Sequence, residues 1–129
     1  MDLHLARNIE EFILLSGRGS WSRGEWLPTS YEGIALQLDV LSEESQKESL
    51  LMVCAVKVPR RRLPVLLKTA LSDYIPSKFC GLPVRFVAIG DKLACSVVMP
   101  RESGAREWFV VYSVLVKRLR CYSMGGEAQ

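Results

Sequence analysis

The spacing of apolar residues changes along this chain, and that change of period limits what it can fold into. Some segments repeat apolar residues every three and four positions, as one face of an α-helix does, whereas others alternate apolar and polar residues, as a half-buried strand does. Helical spacing predicts helices over Asp2–Ser16, Leu63–Tyr74 and Ala105–Tyr122. Alternation, or a continuous apolar run, predicts strands over Gly33–Leu41, Leu50–Val58, Val84–Ile89 and Lys92–Met99.

The order of these segments predicts an α+β domain. They run α-β-β-α-β-β-α, with a further short strand near Trp26 and Leu27. A polar stretch, Ser42–Ser49, predicts a turn between the first two long strands, and glycine first in Gly90-Asp91 suits a type II′ hairpin turn. We expect the two hairpins to join in one antiparallel sheet with the helices packed on it. The length of 129 residues fits a single domain over residues 1–129.

Two of these segments carry further expectations. Leu50–Val58 is apolar at nearly every position, which predicts a central strand covered on both faces. The last segment is open between helix and strand, because Trp108–Tyr112 is rich in strand-forming residues. Its length favours a helix, as do Lys117 and Arg120, whose charges would complement the negative end of a helix dipole.

The composition and the cysteines indicate a cytoplasmic protein. Apolar residues make up 49% and charged residues 24%, which is globular composition, and no apolar run is long enough to span a membrane. The acidic residues near the N-terminus do not resemble a secretory signal. The four cysteines (Cys54, Cys80, Cys95 and Cys121) form no C-x-x-C pair. We therefore predict reduced thiols, with Cys54 and Cys95 buried in strands.

The sequence gives little sign of catalysis. His4 is the only histidine and lies in the first turn of a helix, where a general base would lack orienting neighbours. Ser-x-x-Lys, P-loop and dinucleotide-binding patterns are all absent from the sequence. We expect a protein that binds another macromolecule, with no enzymatic activity, no metal and no cofactor.

Three consecutive arginines, Arg60, Arg61 and Arg62, form the densest basic cluster, with Lys57 and Lys68 nearby. Arginines just before a helix usually form an exposed connector, which is the favoured interpretation. The alternative is that they contact phosphates or other anions, as in a regulator or adaptor that binds nucleic acid or the transcription machinery. No RRM, KH or zinc-finger pattern accompanies them.

From Leu50 onward the chain resembles a known fold. An apolar strand (Leu51–Val56) leads through a short loop with a proline into a helix opened by Leu63-Pro64, and a hairpin and a terminal helix follow. With the first helix and strand, this order resembles class I type III secretion chaperones of the Tir-chaperone type and the related YbjN-like proteins. The resemblance implies a homodimer that holds an extended or disordered segment of an effector-like partner protein, partly by strand addition to a sheet edge. The chain differs from these typically acidic chaperones in its net charge of +3.

The resemblance also suggests where a partner would dock. Apolar side chains of the first helix and first long strand are expected to line an open groove: Leu5, Ile9, Phe12, Ile13, Ile34, Leu36 and Leu38. Separately, the middle helix carries more apolar surface than one side of a small sheet can cover. We therefore predict a homodimer interface on that helix, formed by Leu67, Leu71 and Tyr74 with Val65 and Leu66 adjoining.

Overall fold

The computed structural model describes residues 2–17, 19, 21–27, 33–42 and 48–124. Within these ranges the chain forms three α-helices, two short 3₁₀ turns and one five-stranded sheet. The helices are α1 (Leu3–Ser16), α2 (Leu63–Asp73) and α3 (Ala105–Ser123). The strands are β1 (Trp26–Leu27), β2 (Ile34–Ser42), β3 (Glu48–Lys57), β4 (Val84–Ile89) and β5 (Lys92–Val98).

The sheet is antiparallel throughout, with strand order β1-β2-β3-β5-β4. Two hairpins meet where β3 pairs with β5, and Cys54 lies directly opposite Cys95. Gly90, in the turn between β4 and β5, has a φ of 61°, which glycine adopts without strain. The predicted α+β fold with one antiparallel sheet is confirmed. Residues 43–47 of the predicted turn Ser42–Ser49 lie outside the described part of the chain.

The ends of α1 follow from local chemistry. The Asp2 carboxylate accepts a hydrogen bond from the N–H of His4 (2.9 Å), which caps the first turn. Gly17 ends the helix in the left-handed conformation and donates its N–H back to Ile13 and Leu14. The chain therefore turns sharply after α1 and leads toward Trp21 and β1.

The last segment, for which the sequence left helix and strand open, forms the helix α3. Its stripe of apolar residues faces inward, and Trp108, Leu115 and Leu119 are all buried. Trp108 and Tyr112 both meet the ring of Phe12 on α1 edge-on. This packing outweighs the strand propensity of the segment because it buries one continuous helix face.

All three helices pack on the same face of the sheet. That face is formed by every second residue of each strand, such as Leu36, Met52 and Leu93, which join the helices in the main core. The alternate residues Val53, Ala55 and Ala94 form a separate small cluster whose members all come from the sheet. The predicted central position of β3 is observed, and it has buried residues on both faces, but within the described residues the helices cover only one of the two faces.

Candidate functional site

The residues predicted to line a docking groove are mostly core. Of the seven, only Leu5 is partly exposed. The other six are buried in the main core: Ile9, Phe12, Ile13, Ile34, Leu36 and Leu38. The apolar stripe of α1 is used to hold that helix on the sheet, so most of the predicted groove surface is consumed by folding.

A groove nevertheless lies along α1, beside that stripe. Its volume is about 420 Å³, and it opens to solvent. It is lined by Ala6, Ile9, Glu10, Ile13, Leu14, Gly19 and Trp21, and we call it the α1 groove. Ile9 and Ile13 contribute to its floor, while Leu14 is 81% exposed at its side. An apolar side chain this exposed is free to contact a partner.

Trp21 forms the opposite wall of the α1 groove, and a hydrogen bond fixes its ring. The indole Nε1–H donates to the carbonyl of Leu38 at 3.2 Å. The same carbonyl accepts the N–H of Gly24 at 3.1 Å, which ties the connecting segment to β2. The wall is therefore anchored to the sheet. Sequence reasoning did not assign Trp21 to the groove, because its partner Leu38 lies 17 residues away.

The outer edge of β2 is closed further along by an ion pair. Asp39 Oδ1 accepts the N–H of Val40 at 2.8 Å, and Arg23 Nη2 donates to the Val40 carbonyl at 2.6 Å. The two side chains also meet each other at 3.0 Å. The Arg23 guanidinium, and secondly the Val40 N–H, lower the pKa of Asp39. Together the pair satisfies both backbone groups of Val40, as a neighbouring strand would.

The predicted interface residues of α2 have three different settings. Leu71 is exposed, Leu67 is partly buried against the core, and Tyr74 lies among the aromatic rings of the core. The Tyr74 hydroxyl also donates to the Leu82 carbonyl and accepts the Val84 N–H. Tyr74 therefore has an internal structural role. The exposed apolar surface of α2 is formed by Val65 and Leu71.

The arginine cluster is solvent-exposed. Arg60, Arg61 and Arg62 form a 3₁₀ turn that leads into α2. Lys57, at the end of β3, lies 3.6 Å from Asp91 in the β4–β5 turn. The cluster is thus available to an anion, and it is also the connector expected between a strand and a helix.

The remaining candidate residues give no sign of a reactive centre. His4 is exposed, and among the described residues its ring is hydrogen-bonded to Asn8, at 3.2 Å. Burial, and secondly the neighbouring Cys54, raise the pKa of the Cys95 thiol, which disfavours the reactive thiolate. Within the described ranges no three His, Cys, Asp or Glu side chains are grouped to hold a metal ion, and no helix is long and apolar enough to cross a membrane.

Comparison with known protein families identifies a match for this chain. The model of the SsaM family matches residues 2–120, which is nearly the whole chain. No curated protein matches the chain, and no solved structure matches it. The match spans all three helices and all five strands up to the last turn of α3. The chain therefore belongs to the SsaM family.

Proposed function

We propose that this protein is a non-catalytic, chaperone-type binding protein that holds an extended apolar segment of a partner protein in the α1 groove. The observation that carries the proposal is the groove itself, whose apolar floor and exposed Leu14 lie beside a wall fixed to the sheet. Exposed apolar surface costs solubility unless it is covered in use. The resemblance to class I type III secretion chaperones supports an effector-like partner.

The lining of the α1 groove fits a polypeptide better than a small metabolite. Small-molecule sites combine an apolar wall with several convergent polar groups that fix the orientation of the ligand. Among the described lining residues Glu10 alone is charged, and the groove is open. A polypeptide segment instead needs apolar contacts for one or two side chains, and those are what Ile9, Ile13 and Leu14 provide.

The hydrogen bonds at the outer edge of β2 indicate whether a partner segment could bind there as an added strand. Strand addition requires free N–H and C=O groups, and Val40 already has both satisfied by Arg23 and Asp39. Leu38 likewise has its carbonyl occupied by Trp21 and Gly24. We therefore infer that side chains inserted into the groove, rather than backbone pairing along β2, provide most of the binding.

Dimerisation and location complete the proposal. Val65 and Leu71 are exposed apolar side chains of α2, on either side of Lys68, that a second copy would cover. All four cysteines carry thiols, and Cys54 and Cys95 lie opposite each other in adjacent strands without a bond between them. This supports a reducing compartment such as the cytoplasm.

Binding to a peptide array tests the groove. The array would tile the proteins encoded beside the gene of this chain, and wild type is compared with Leu14→Asp. Since Leu14 is 81% exposed, the substitution should change stability by no more than about 0.5 kcal/mol. We expect it to weaken the strongest peptide about tenfold, the equivalent of 1.4 kcal/mol. Leu15→Asp, next along the helix and outside the groove, is the matched control.

A parallel measurement with an oligonucleotide tests a second function, the binding of nucleic acid. The exposed arginine turn Arg60–Arg62 favours binding of nucleic acid or another polyanion. An oligonucleotide bound more tightly than every peptide, with affinity falling steeply as salt rises, would support that function. Equal peptide binding by the Leu14→Asp and Leu15→Asp variants would contradict the groove proposal.

A further inference from the structure

The face of the sheet on which none of the described helices packs also has the character of a binding surface. Register partners share a face, so the pairs Val87↔Ala94 and Ile89↔Lys92 lie on the same side as the small cluster of Val53 and Ala55. Val87 and Val98 are each 44% exposed there, and Ile89 is 42% exposed. We call Arg85, Val87, Ile89, Lys92 and Val98 the open-face patch.

The centre of this face is shaped by a row of alanines. Ala35, Ala55 and Ala94 are register partners across β2, β3 and β5. The Lys92 ammonium lies 5.2 Å from the centre of the Trp26 ring, although β2 and β3 separate their strands. The side chains of Lys92 and Trp26 must therefore both extend over the alanine row, whose small methyl groups leave room for them. Ala94, in this row, is fully buried.

Among the described residues the unpaired charge of this face is positive, because Asp39, which shares the face with Leu51 and Val98, is paired with Arg23. Lys57 and Lys92 are directly opposite each other on β3 and β5, an arrangement that is destabilising for like charges unless an anion compensates. Asp91 contacts Lys57 at 3.6 Å, but within the described residues no acid is paired with Arg85 or Lys92. The apolar patch is thus bordered by positive charge at one end and along its β4 edge.

We propose that the open-face patch binds an acidic amphipathic helix of a partner protein. A sheet face offers no free backbone groups, so its partner must pack by side chains, and helices are the elements that cover sheets in layered domains. An apolar helix stripe would lie on Val87, Ile89 and Val98, with glutamates or aspartates directed to Arg85 and Lys92.

Two other occupants fit the face less well. A second copy of this chain would bring the same cations against each other and leave Arg85 and Lys92 without compensation. Single-stranded nucleic acid is held by several cations along its backbone and by stacked aromatic rings, whereas the centre of this face is aliphatic and Trp26 is its one aromatic ring in the described residues. An acidic amphipathic helix would cover the apolar residues of the patch and also compensate the charges of Arg85 and Lys92.

Fluorescence anisotropy with three labelled probes tests this assignment. The probes are a synthetic helical peptide with a leucine stripe flanked by glutamates, the same peptide with lysines for glutamates, and a single-stranded oligonucleotide. We expect only the glutamate peptide to bind, and Arg85→Glu or Lys92→Glu to weaken it about tenfold, or 1.4 kcal/mol. Arg106→Glu, an exposed change of the same kind on α3, should leave affinity unchanged.

Several outcomes would overturn the assignment. They are no binding of the glutamate peptide, equal binding of the lysine peptide, tighter binding of the oligonucleotide, or equal losses from Arg106→Glu and Arg85→Glu. Val87→Asp provides a second variant, because an exposed edge residue tolerates a charge, and it should also abolish binding. Leu14→Asp should not affect it, so failure here is distinguishable from failure of the α1 groove.

Discussion

Asp73 connects α2 to α3 through a small polar network. Its carboxylate accepts hydrogen bonds from Lys78 Nζ at 2.6 Å and from the Tyr122 hydroxyl at 2.5 Å, and its side chain is only 9% exposed. The Lys78 contact, and secondly the Tyr122 contact, lower the pKa of Asp73. Burial, followed by the Asp73 charge, raises the pKa of Tyr122. The network therefore favours ionised Asp73 and neutral Tyr122.

Replacing Asp73 with alanine should lower the free energy of unfolding by about 2 kcal/mol near neutral pH, because Tyr122 and Lys78 lose a charged acceptor. The pKa of folded Asp73 lies below its ordinary value of 3.8. The stabilisation is therefore fully present well above that value and is lost as pH falls through the lowered pKa. Urea unfolding of both proteins at neutral and acid pH measures the difference.

A control separates this effect from general loss of charge. Asp91→Ala removes the exposed contact with Lys57 and should cost less than about 1 kcal/mol. A cost for Asp73→Ala that stays constant into strong acid would show that the carboxylate charge is not the source of the stabilisation.

At the scale of elements, the sequence predicted the helices and strands closely because their apolar periods are strong. The main difference is at the start of β3, which begins at Glu48 rather than Leu50. Glu48 and Ser49 pair with Ser42 and Leu41 through the backbone. Such pairing does not require apolar side chains, so the apolar pattern of the sequence does not indicate it. The choice between helix and strand for α3 depended on its contacts with Phe12, which are tertiary.

The candidate site was less predictable than the elements. The apolar stripe of α1 was visible in the sequence, but the same pattern describes a core face and a docking face. Leu14 lies outside that predicted set, and it is the most exposed large apolar side chain of α1. The wall of the groove depends on the hydrogen bond from Trp21 to Leu38, which no local pattern indicates.

At the scale of the whole molecule, the account predicts a homodimer formed through α2. Val65 and Leu71 are both exposed on that helix, and burying them against a second copy gives a favourable apolar contribution. Light scattering at tens of micromolar should give the mass of a dimer, and Val65→Asp should give a monomer that is still folded. Arg106→Glu, an exposed change on α3 and away from this face, serves as the control. A wild-type monomer under these conditions would contradict the prediction.

The central claim is that a partner segment lies in the α1 groove, and methyl NMR locates it most directly. The measurement uses the strongest peptide from the array and follows cross-saturation from the peptide to the methyl groups of this protein. The account predicts transfer to Leu14, Ile9 and Ile13, with none to Val87 or Val98 on the open face. Transfer confined to the open face, or to Val65 and Leu71 on α2, would contradict it.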